Sequence, residues 1–371
     1  MKNAVLISAY DYYDVRVRYI YEALEEKGYA VNYYIASFNH YRKLQNKACR
    51  EEATMLKTIG YKKNVSIARL ISCVMFSMKV YKEIKTEKPE LVYSIIPPNS
   101  LSWMLWKGKN KYGYRLVLDI IDSWPESFSI ANRKKRMVIS PLLYLWKKIR
   151  DISIVNADVI LGVSTAALEV FPKCKCEQKL FYPMPCKHAQ LDLKSYIDTE
   201  VVSFCYVGGI NRLLNMDRIV AMLREVACSK AVCVHIIGNG EKKEEFLSRL
   251  RENGVKVFDH GELYDWADKF PIYSSCSFGL NIPIRGAKVT MSLKGAEYLC
   301  ASLPLLNEAS GDTEMMIEKY TAGINSRDLS VRAVAERICS LSRQEIIEMK
   351  KNANALYERE FESKLNFDFF M

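Results

Sequence analysis

Along the chain, predominantly apolar runs of three to seven residues alternate with longer stretches in which apolar positions recur every third or fourth residue. In the first half the runs are Ala4–Ala9, Val31–Ala36, Leu91–Ile96, Leu116–Ile121 and Ala157–Val163. In the second they are Val201–Val207, Ala231–Ile237, Val255–Phe258, Ser277–Ile282 and Pro304–Leu306. A run that is apolar at every position, and not at every other one, suits a strand buried on both faces of a parallel sheet. Helical spacing covers about 15–27, ending at Gly28, and then 65–87. It returns after Pro97-Pro98-Asn99, in a stretch carrying Trp103 and Trp106, and again near 330–360. The polar run Lys187–Glu200 separates two successive strand–helix series, which read as two doubly wound α/β domains.

The stretch Val289–Leu306 concentrates the candidate chemistry. Thr290 or Ser292 caps a helix whose apolar face is Leu293, Ala296 and Cys300, and Ser302-Leu303-Pro304 ends it. Lys294 falls in the first turn, where the helix dipole disfavours a cation by a few tenths of a kcal/mol. That placement makes sense when an anion docks at the same helix end, because free N–H groups and the ammonium then converge on it. Glu297 follows three residues on; a solvated Lys–Glu pair is the plain alternative.

Ser292-Leu-Lys-Gly-Ala-Glu-Tyr-Leu299, with Leu303-Pro-Leu-Leu306 and Gly311-Asp312-Thr313 behind it, resembles the donor-site block of GT-B glycosyltransferases. The family-four-like enzymes of bacterial surface-polysaccharide synthesis are the kin it points to. The resemblance implies a GT-B fold, two Rossmann-like domains facing across a cleft. Residues 1–183 would form the acceptor- and membrane-facing domain and 184–345 the nucleotide-sugar domain, with a helix over 346–371 packing back on the first. It also implies Lys294 at the donor diphosphate, Glu297 on the ribose, and His260-Gly261-Glu262-Leu263 against the base through backbone groups. The reaction implied is metal-independent, retaining hexosyl transfer from a UDP-sugar, favoured over GDP, to a lipid-linked glycan, with no cofactor. Two features depart from the pattern. Retaining relatives carry a glutamate eight residues before the ribose glutamate, where this chain has Val289; Arg285 or Lys288 are the nearby substitutes. The segment Asp119-Ile-Ile-Asp122-Ser-Trp124-Pro125-Glu126 resembles a cleft-lining segment but has Ile121 where relatives often have histidine before Asp122. The missing carboxylate keeps two alternatives open, a catalytically silent GT-B binding subunit and a GT-B UDP-sugar epimerase.

Other candidates come from position along the strands. Gly208-Gly209 after the first strand of the second domain lets backbone N–H groups approach a phosphate, with Arg212 able to grip it. Gly238-Asn-Gly240 after the next strand reads equally as a tight turn. Asp14, Arg16 and Arg18 follow the first strand, where doubly wound sheets place ligands, so Asp14 and Arg16 are acceptor-side candidates. His40-Tyr-Arg-Lys43 ends the loop after the second strand. Cys174-Lys-Cys176 with Cys186-Lys-His188 has zinc-type ligands at spacings unlike the usual fingers, so a linker is the simpler reading.

Charge adds a partner. The 371 residues carry a net +11, and it is lopsided: residues 1–200 hold 32 Lys and Arg against 20 Asp and Glu, residues 201–371 hold 22 against 23. An anionic partner for the first half follows. No nucleic-acid module is recognisable, which leaves an anionic membrane surface. Arg133–Arg136 before the apolar Met137–Trp146, and Lys147, Lys148 and Arg150 after it, fit a helix lying on a bilayer. No run reaches the roughly 20 apolar residues of a span, and scattered cysteines suit a reducing compartment. A peripheral position on the inner face of the cell membrane is expected.

Overall fold

The computed structural model describes the chain except residues 1, 11–13, 41, 47–50, 65, 127–132, 172–175, 183–199, 288–289, 363–369 and 371, together with the side chains of 14, 133–136 and 138. It divides into two compact units, 1–182 with 366–371, and 183–365.

The first unit runs β1 (Lys2–Ser8), α1 (Asp14–Glu26), β2 (Tyr29–Ala36), β3 (Phe38–Asn39), β4 (Leu44–Gln45), β5 (Ala53–Leu56), α2 (Ile67–Glu87) and β6 (Leu91–Ile96). It continues with α3 (Asn99–Tyr112), β7 (Arg115–Ile120), α4 (Arg133–Val155), β8 (Val159–Gly162), α5 (Thr165–Glu169) and β9 (Glu177–Leu180). Seven strands form one parallel sheet in the order β5-β2-β1-β6-β7-β8-β9, and β3 and β4 pair as a small antiparallel ribbon. The chain reverses its direction of sheet growth between β1 and β6. β6 is buried at every position, as its unbroken apolar run requires. Helix α2 starts at Ser66, whose side chain accepts from Arg69 N–H, and stops at Lys88 in the left-handed conformation. Helix α3 packs between α2 and α4.

The second unit runs β10 (Val201–Val207), α6 (Met216–Ala227), β11 (Ala231–Ile237), α7 (Lys243–Glu252), β12 (Lys256–Asp259), α8 (Trp266–Ser275), β13 (Phe278–Asn281) and α9 (Leu293–Cys300). Then come β14 (Leu305–Asn307), α10 (Asp312–Tyr320), β15 (Gly323–Asn325), α11 (Val331–Ser340) and α12 (Arg343–Tyr357), followed by a π-helical turn at Glu358–Glu362. Its six parallel strands are ordered β12-β11-β10-β13-β14-β15, so the reversal lies between β10 and β13. A core of Phe204, Tyr206, Ile236, Phe246, Phe278 and Leu306 fills the space under the helices. Of the segment 346–371, the α12 part lies on α9 and α10 of its own unit. Ile346, Met349, Ala353 and Leu356 give α12 the apolar face that its own unit buries.

Candidate active site

In the second unit, the loops leaving β10, β11 and β12 lie side by side. Gly208 N–H donates to Ile237 O (2.9 Å), Ile210 N–H to Asn239 O (2.9 Å), and Gly238 N–H to Gly261 O (2.6 Å). Gly238 has φ +144°, and a Cβ there would stand 2.1 Å from Gly208 O. Only glycine lets these loops close on each other. The glycines expected at a phosphate therefore have a packing reason of their own at 238. At Gly208, by contrast, a methyl would meet nothing nearer than the Tyr206 hydroxyl, 4.0 Å away.

Helix α9 begins over the C-terminal ends of β10 and β13. Ser292, and not Thr290, is its cap: the hydroxyl accepts from Gly295 N–H (3.1 Å) and donates to Asn281 Oδ1 (3.2 Å). Thr290 serves the next helix, its carbonyl accepting from the N–H (3.0 Å) and hydroxyl (2.7 Å) of Thr313. From Asn281 a row of amides crosses the sheet ends. Asn281 Nδ2 donates to Asn307 Oδ1 (2.7 Å), Asn307 Nδ2 to Asn325 Oδ1 (2.9 Å), and Asn325 Nδ2 to Glu314 O (3.0 Å) in α10. The strand register sets these three residues opposite one another.

Lys294 is half-buried in the first turn of α9, its Nζ 4.7 Å from the centre of the Tyr206 ring. Tyr206 is in turn fixed by donating its hydroxyl to Gly209 O (2.8 Å). Lys294 has no carboxylate partner among the described residues, and burial lowers its pKa from 10.5 to about 8. A desolvated cation without a carboxylate partner among the described residues, at a helix start and beside a glycine loop, is arranged to receive an anion.

Glu297 is held from α8. Its oxygens accept from Lys269 Nζ (2.9 Å) and Tyr273 Oη (2.7 Å), both on α8, so the carboxylate already has two donors and a near-buried cation. The i, i+3 spacing that suggests a Lys294–Glu297 pair is overridden by these two donors from α8. Burial and the adjacent carboxylate push the Tyr273 hydroxyl well up. Arg212 is 84% exposed and 3.2 Å from Glu241, a surface pair that leaves it unpositioned. Leu263 is half-buried, and His260 stacks on His235 with their rings 5.2 Å apart. Arg285 is exposed and donates to Arg327 O (3.2 Å); Lys288 and Val289 lie outside the described residues.

In the first unit Arg16 is a correction. It faces the sheet, fully engaged by Asp119 of β7 (2.5 and 2.8 Å) and by Tyr182 O (3.0 Å), with the Phe181 ring 3.7 Å from its Cζ. Tyr93 also donates to Asp119. Arg16 shares its helix face with Val17, Tyr19 and Ile20, so the residue reads as polar but occupies a core-facing position. It ties α1 to the sheet and is closed to an acceptor. Asp14 opens α1, but its side chain lies outside the described residues. Asp122 is half-buried just past β7 and accepts from Trp124 Nε1 (2.9 Å).

Cys176 is disulfide-bonded, which takes its sulfur out of a thiolate ligand set, and Cys174, Cys186 and His188 lie outside the described residues. Among the described residues no group of three His, Cys, Asp or Glu could hold a metal. The asparagine row, Lys269, Tyr273 and Tyr206 went unrecognised in the sequence. The signal was present for the asparagines, each of which ends an apolar strand: Leu280-Asn281, Leu306-Asn307 and Ile324-Asn325.

No protein-family model and no curated protein matches the sequence. Among solved structures, sucrose-phosphate synthase from Thermosynechococcus elongatus is similar with a TM-score of 0.67 at 12% identity, covering 98% of this chain and 96% of that one. HepE from Anabaena, in complex with UDP-glucose, gives 0.64 at 13% identity over 100% and 98%. MurG from Acinetobacter baumannii gives 0.55 at 11% over 96% and 95%. With two parallel-sheet Rossmann-like domains that match such neighbours, the chain has the GT-B fold.

Proposed function

We propose that the protein is a glycosyltransferase, of the family-four-like kind, that takes a UDP-sugar as donor and a lipid-linked glycan as acceptor in bacterial surface-polysaccharide synthesis. The observation that carries this reading is Lys294, a cation without a carboxylate partner among the described residues, desolvated at the start of α9 beside the Gly208-Gly209 loop. That HepE, which shares the fold, was crystallised with UDP and with UDP-glucose supports the donor class.

In the transfer, the bond from the sugar's anomeric carbon to the diphosphate oxygen breaks and a bond to an acceptor hydroxyl oxygen forms. The hydroxyl proton leaves to a base, the departing phosphate itself if configuration is retained. Negative charge grows on the diphosphate, and Lys294 with the first N–H groups of α9 offsets it without a metal. Ser292 fixes that helix end. Gly208, Gly209 and Gly238 give the diphosphate a close backbone approach, and Gly261 and Leu263 face the base. Arg212 swings in from solvent once an anion is present. Glu297, held by Lys269 and Tyr273, reaches the ribose by exchanging one of those donors or by orienting it through them. Asp122 is the acceptor-side acid, and Asp14 belongs to the same strand-end region of its own domain.

The membrane part of the reading places the protein on the cytoplasmic face. On α4, Met137, Leu142, Tyr144 and Leu145 are exposed, and Lys147 and Lys148 stay outside. Helix α2, two helices along the same layer, exposes Ile67, Ile71, Val74 and Met78 as one stripe at helical spacing. Arg150 belongs elsewhere: it is buried and bound to Glu126 (2.5 and 2.9 Å) and Trp124 O (2.7 Å). Among the described residues no helix is long and apolar enough to cross a membrane.

The deciding experiment is UDP release from a panel of UDP-sugars by the purified chain, with and without membrane extract. Turnover that disappears in Lys294→Ala is expected. UDP binding with no turnover of any donor refutes the enzyme reading in favour of a silent subunit, and acceptor-independent isomerisation favours an epimerase. Pelleting with phosphatidylglycerol vesicles tests the surface: it should fall from 0.1 M to 1 M salt, as the Debye length shrinks from about 10 to 3 Å. Salt-independent or absent pelleting refutes the docking face.

A further inference from the structure

The first unit holds a second cation without a carboxylate partner among the described residues, at a different sheet. Arg69 lies in the first turn of α2 and is 7% exposed. Its guanidinium donates to Asn64 O (2.7 Å) and Tyr10 Oη (2.9 Å), while Nε is buried with no hydrogen-bond partner. The rings of Trp124, Tyr10 and Tyr61 surround it at 4.2, 5.7 and 5.8 Å. Lys43 Nζ is 5.0 Å from the same Tyr61 ring, and His40 Nδ1 is 2.6 Å from the Tyr61 hydroxyl.

Neither Arg69 nor Lys43 has a carboxylate partner among the described residues. Their fields act on each other instead. Burial and Arg69 lower Lys43, and burial with Arg69 and Lys43 lowers His40 to about 4. Lys43 also donates to Asn64 Oδ1 (2.5 Å), and the rings attract both cations, but the buried Arg69 charge still costs free energy that a bound anion would offset. Tyr10 follows β1, His40 and Lys43 follow β2, and Trp124 follows β7. The cluster therefore sits past the C-terminal ends of parallel strands, beside the reversal between β1 and β6, where open α/β sheets bind ligands. The N–H groups that open α2 add their partial positive charge. Lys43 and His40 are only half-buried, so the cluster opens on their side. The adjoining cavity of about 20 Å³, lined by Tyr10, Thr58, Tyr61 and Cys73 among others, has room for a water and no more.

We propose that Arg69, Lys43 and the start of α2 form an anion site that takes a phosphate group, with Tyr10, Tyr61 and Trp124 holding the guanidinium in place. The site lies wholly in the first unit and stands whether or not Lys294 binds a donor. Its source is either a free phosphate ester or the phosphate of a lipid-linked molecule.

The test titrates inorganic pyrophosphate by calorimetry into full-length Lys294→Met protein, in which the second-unit candidate is removed. Binding should persist there, weaken at least tenfold on adding Arg69→Gln, and recover in part with Arg69→Lys. Lys43→Ala should weaken it at least threefold; that residue is half-exposed, so the variant reads the site even if Arg69→Gln does not fold. In the NMR spectrum His40 should titrate at higher pH with pyrophosphate bound, since the added anion offsets Arg69 and Lys43. Farnesyl diphosphate binding more tightly than pyrophosphate identifies the lipid-linked source, and equal binding the free one. Loss of all pyrophosphate binding in Lys294→Met, or unchanged affinity in Lys43→Ala, overturns the site.

Discussion

Lys294→Met separates a residue kept for a ligand from one kept for the fold. Methionine preserves an unbranched stem over the Tyr206 ring and removes the charge. Lys294 falls from an ordinary 10.5 to about 8 because burial strips water from the ammonium. At 1.36 kcal/mol per pH unit, that drop corresponds to at most about 3.4 kcal/mol of destabilisation carried by the charged form. The side chain is half-buried and its charge lies over an aromatic ring, which brings the expected figure to about 1–2 kcal/mol. The sign follows from linkage. Below pH 8 the lysine is protonated both folded and unfolded, so the full penalty applies. Between about 8 and 10.5 the folded chain sheds the proton first and the penalty disappears. The variant should therefore melt higher than wild type at pH 7, by about 2–4 °C for each kcal/mol in a unit of this size. That advantage should vanish towards pH 10.5. UDP binding should move the opposite way. Losing a charge-assisted hydrogen bond costs about 1.5–3 kcal/mol, a tenfold weakening or more by calorimetry. In wild type, UDP affinity should fall as pH rises above 8, because the diphosphate favours the protonated amine. A variant that melts lower than wild type at pH 7 and keeps UDP affinity would refute the reasoning, since Lys294 would then be a packing residue.

Gly238→Ala should destabilise the second unit by about 1–3 kcal/mol in urea denaturation, because φ is +144° and the new methyl meets Gly208 O; a change under about 0.5 would mean the loops separate freely. Arg16→Met leaves Asp119 buried with only Tyr93, so a loss of about 3–5 kcal/mol is expected. Altered acceptor use with unchanged stability would instead make Arg16 a ligand-facing residue. His40 and His235 are both lowered to about 4, His235 by burial and then by His260. Each resists charging when folded, so stability should be full above pH 6.5 and decline from there towards pH 4, by up to about 2 kcal/mol per histidine at pH 5. His40→Gln combined with His235→Gln should flatten that slope in denaturation curves recorded at pH 7 and 5.

The strands that are buried on both faces were legible in the sequence, because the sheet leaves nothing charged in Leu91–Ile96 or Val201–Val207. Edges were not. Ala53–Leu56, Glu177–Leu180 and Gly323–Asn325 are short and half-exposed, so they carry little of that pattern. At the site, Lys294 and Ser292 could be placed because helix capping is local. The partners of Glu297, Lys269 and Tyr273, were not legible, because they lie on a helix more than twenty residues away and no spacing within α9 encodes them. Arg16 and Arg150 show the same limit from the other side: charge suggests surface, yet each is buried against a carboxylate supplied by a distant element. Arg69 carries no sequence signal for a similar reason, since what sets it apart is the absence of such a carboxylate among the described residues.

The row from Ser292 to Glu314 has a direction. Every link donates the same way, hydroxyl to Asn281, amide to Asn307, amide to Asn325, amide to the carbonyl of α10. Aligned links polarise one another, and none can be turned round alone. Exchange of one asparagine for aspartate would set acceptor against acceptor on its donating side, and exchange for leucine would strand one donor and one acceptor. The sequence is thus locked against drift one position at a time: the three asparagines tolerate replacement as a set or hardly at all. Among divergent chains that keep this sheet, positions 281, 307 and 325 should change together, while their apolar neighbours Leu280, Leu306 and Ile324 interchange freely with residues of similar volume.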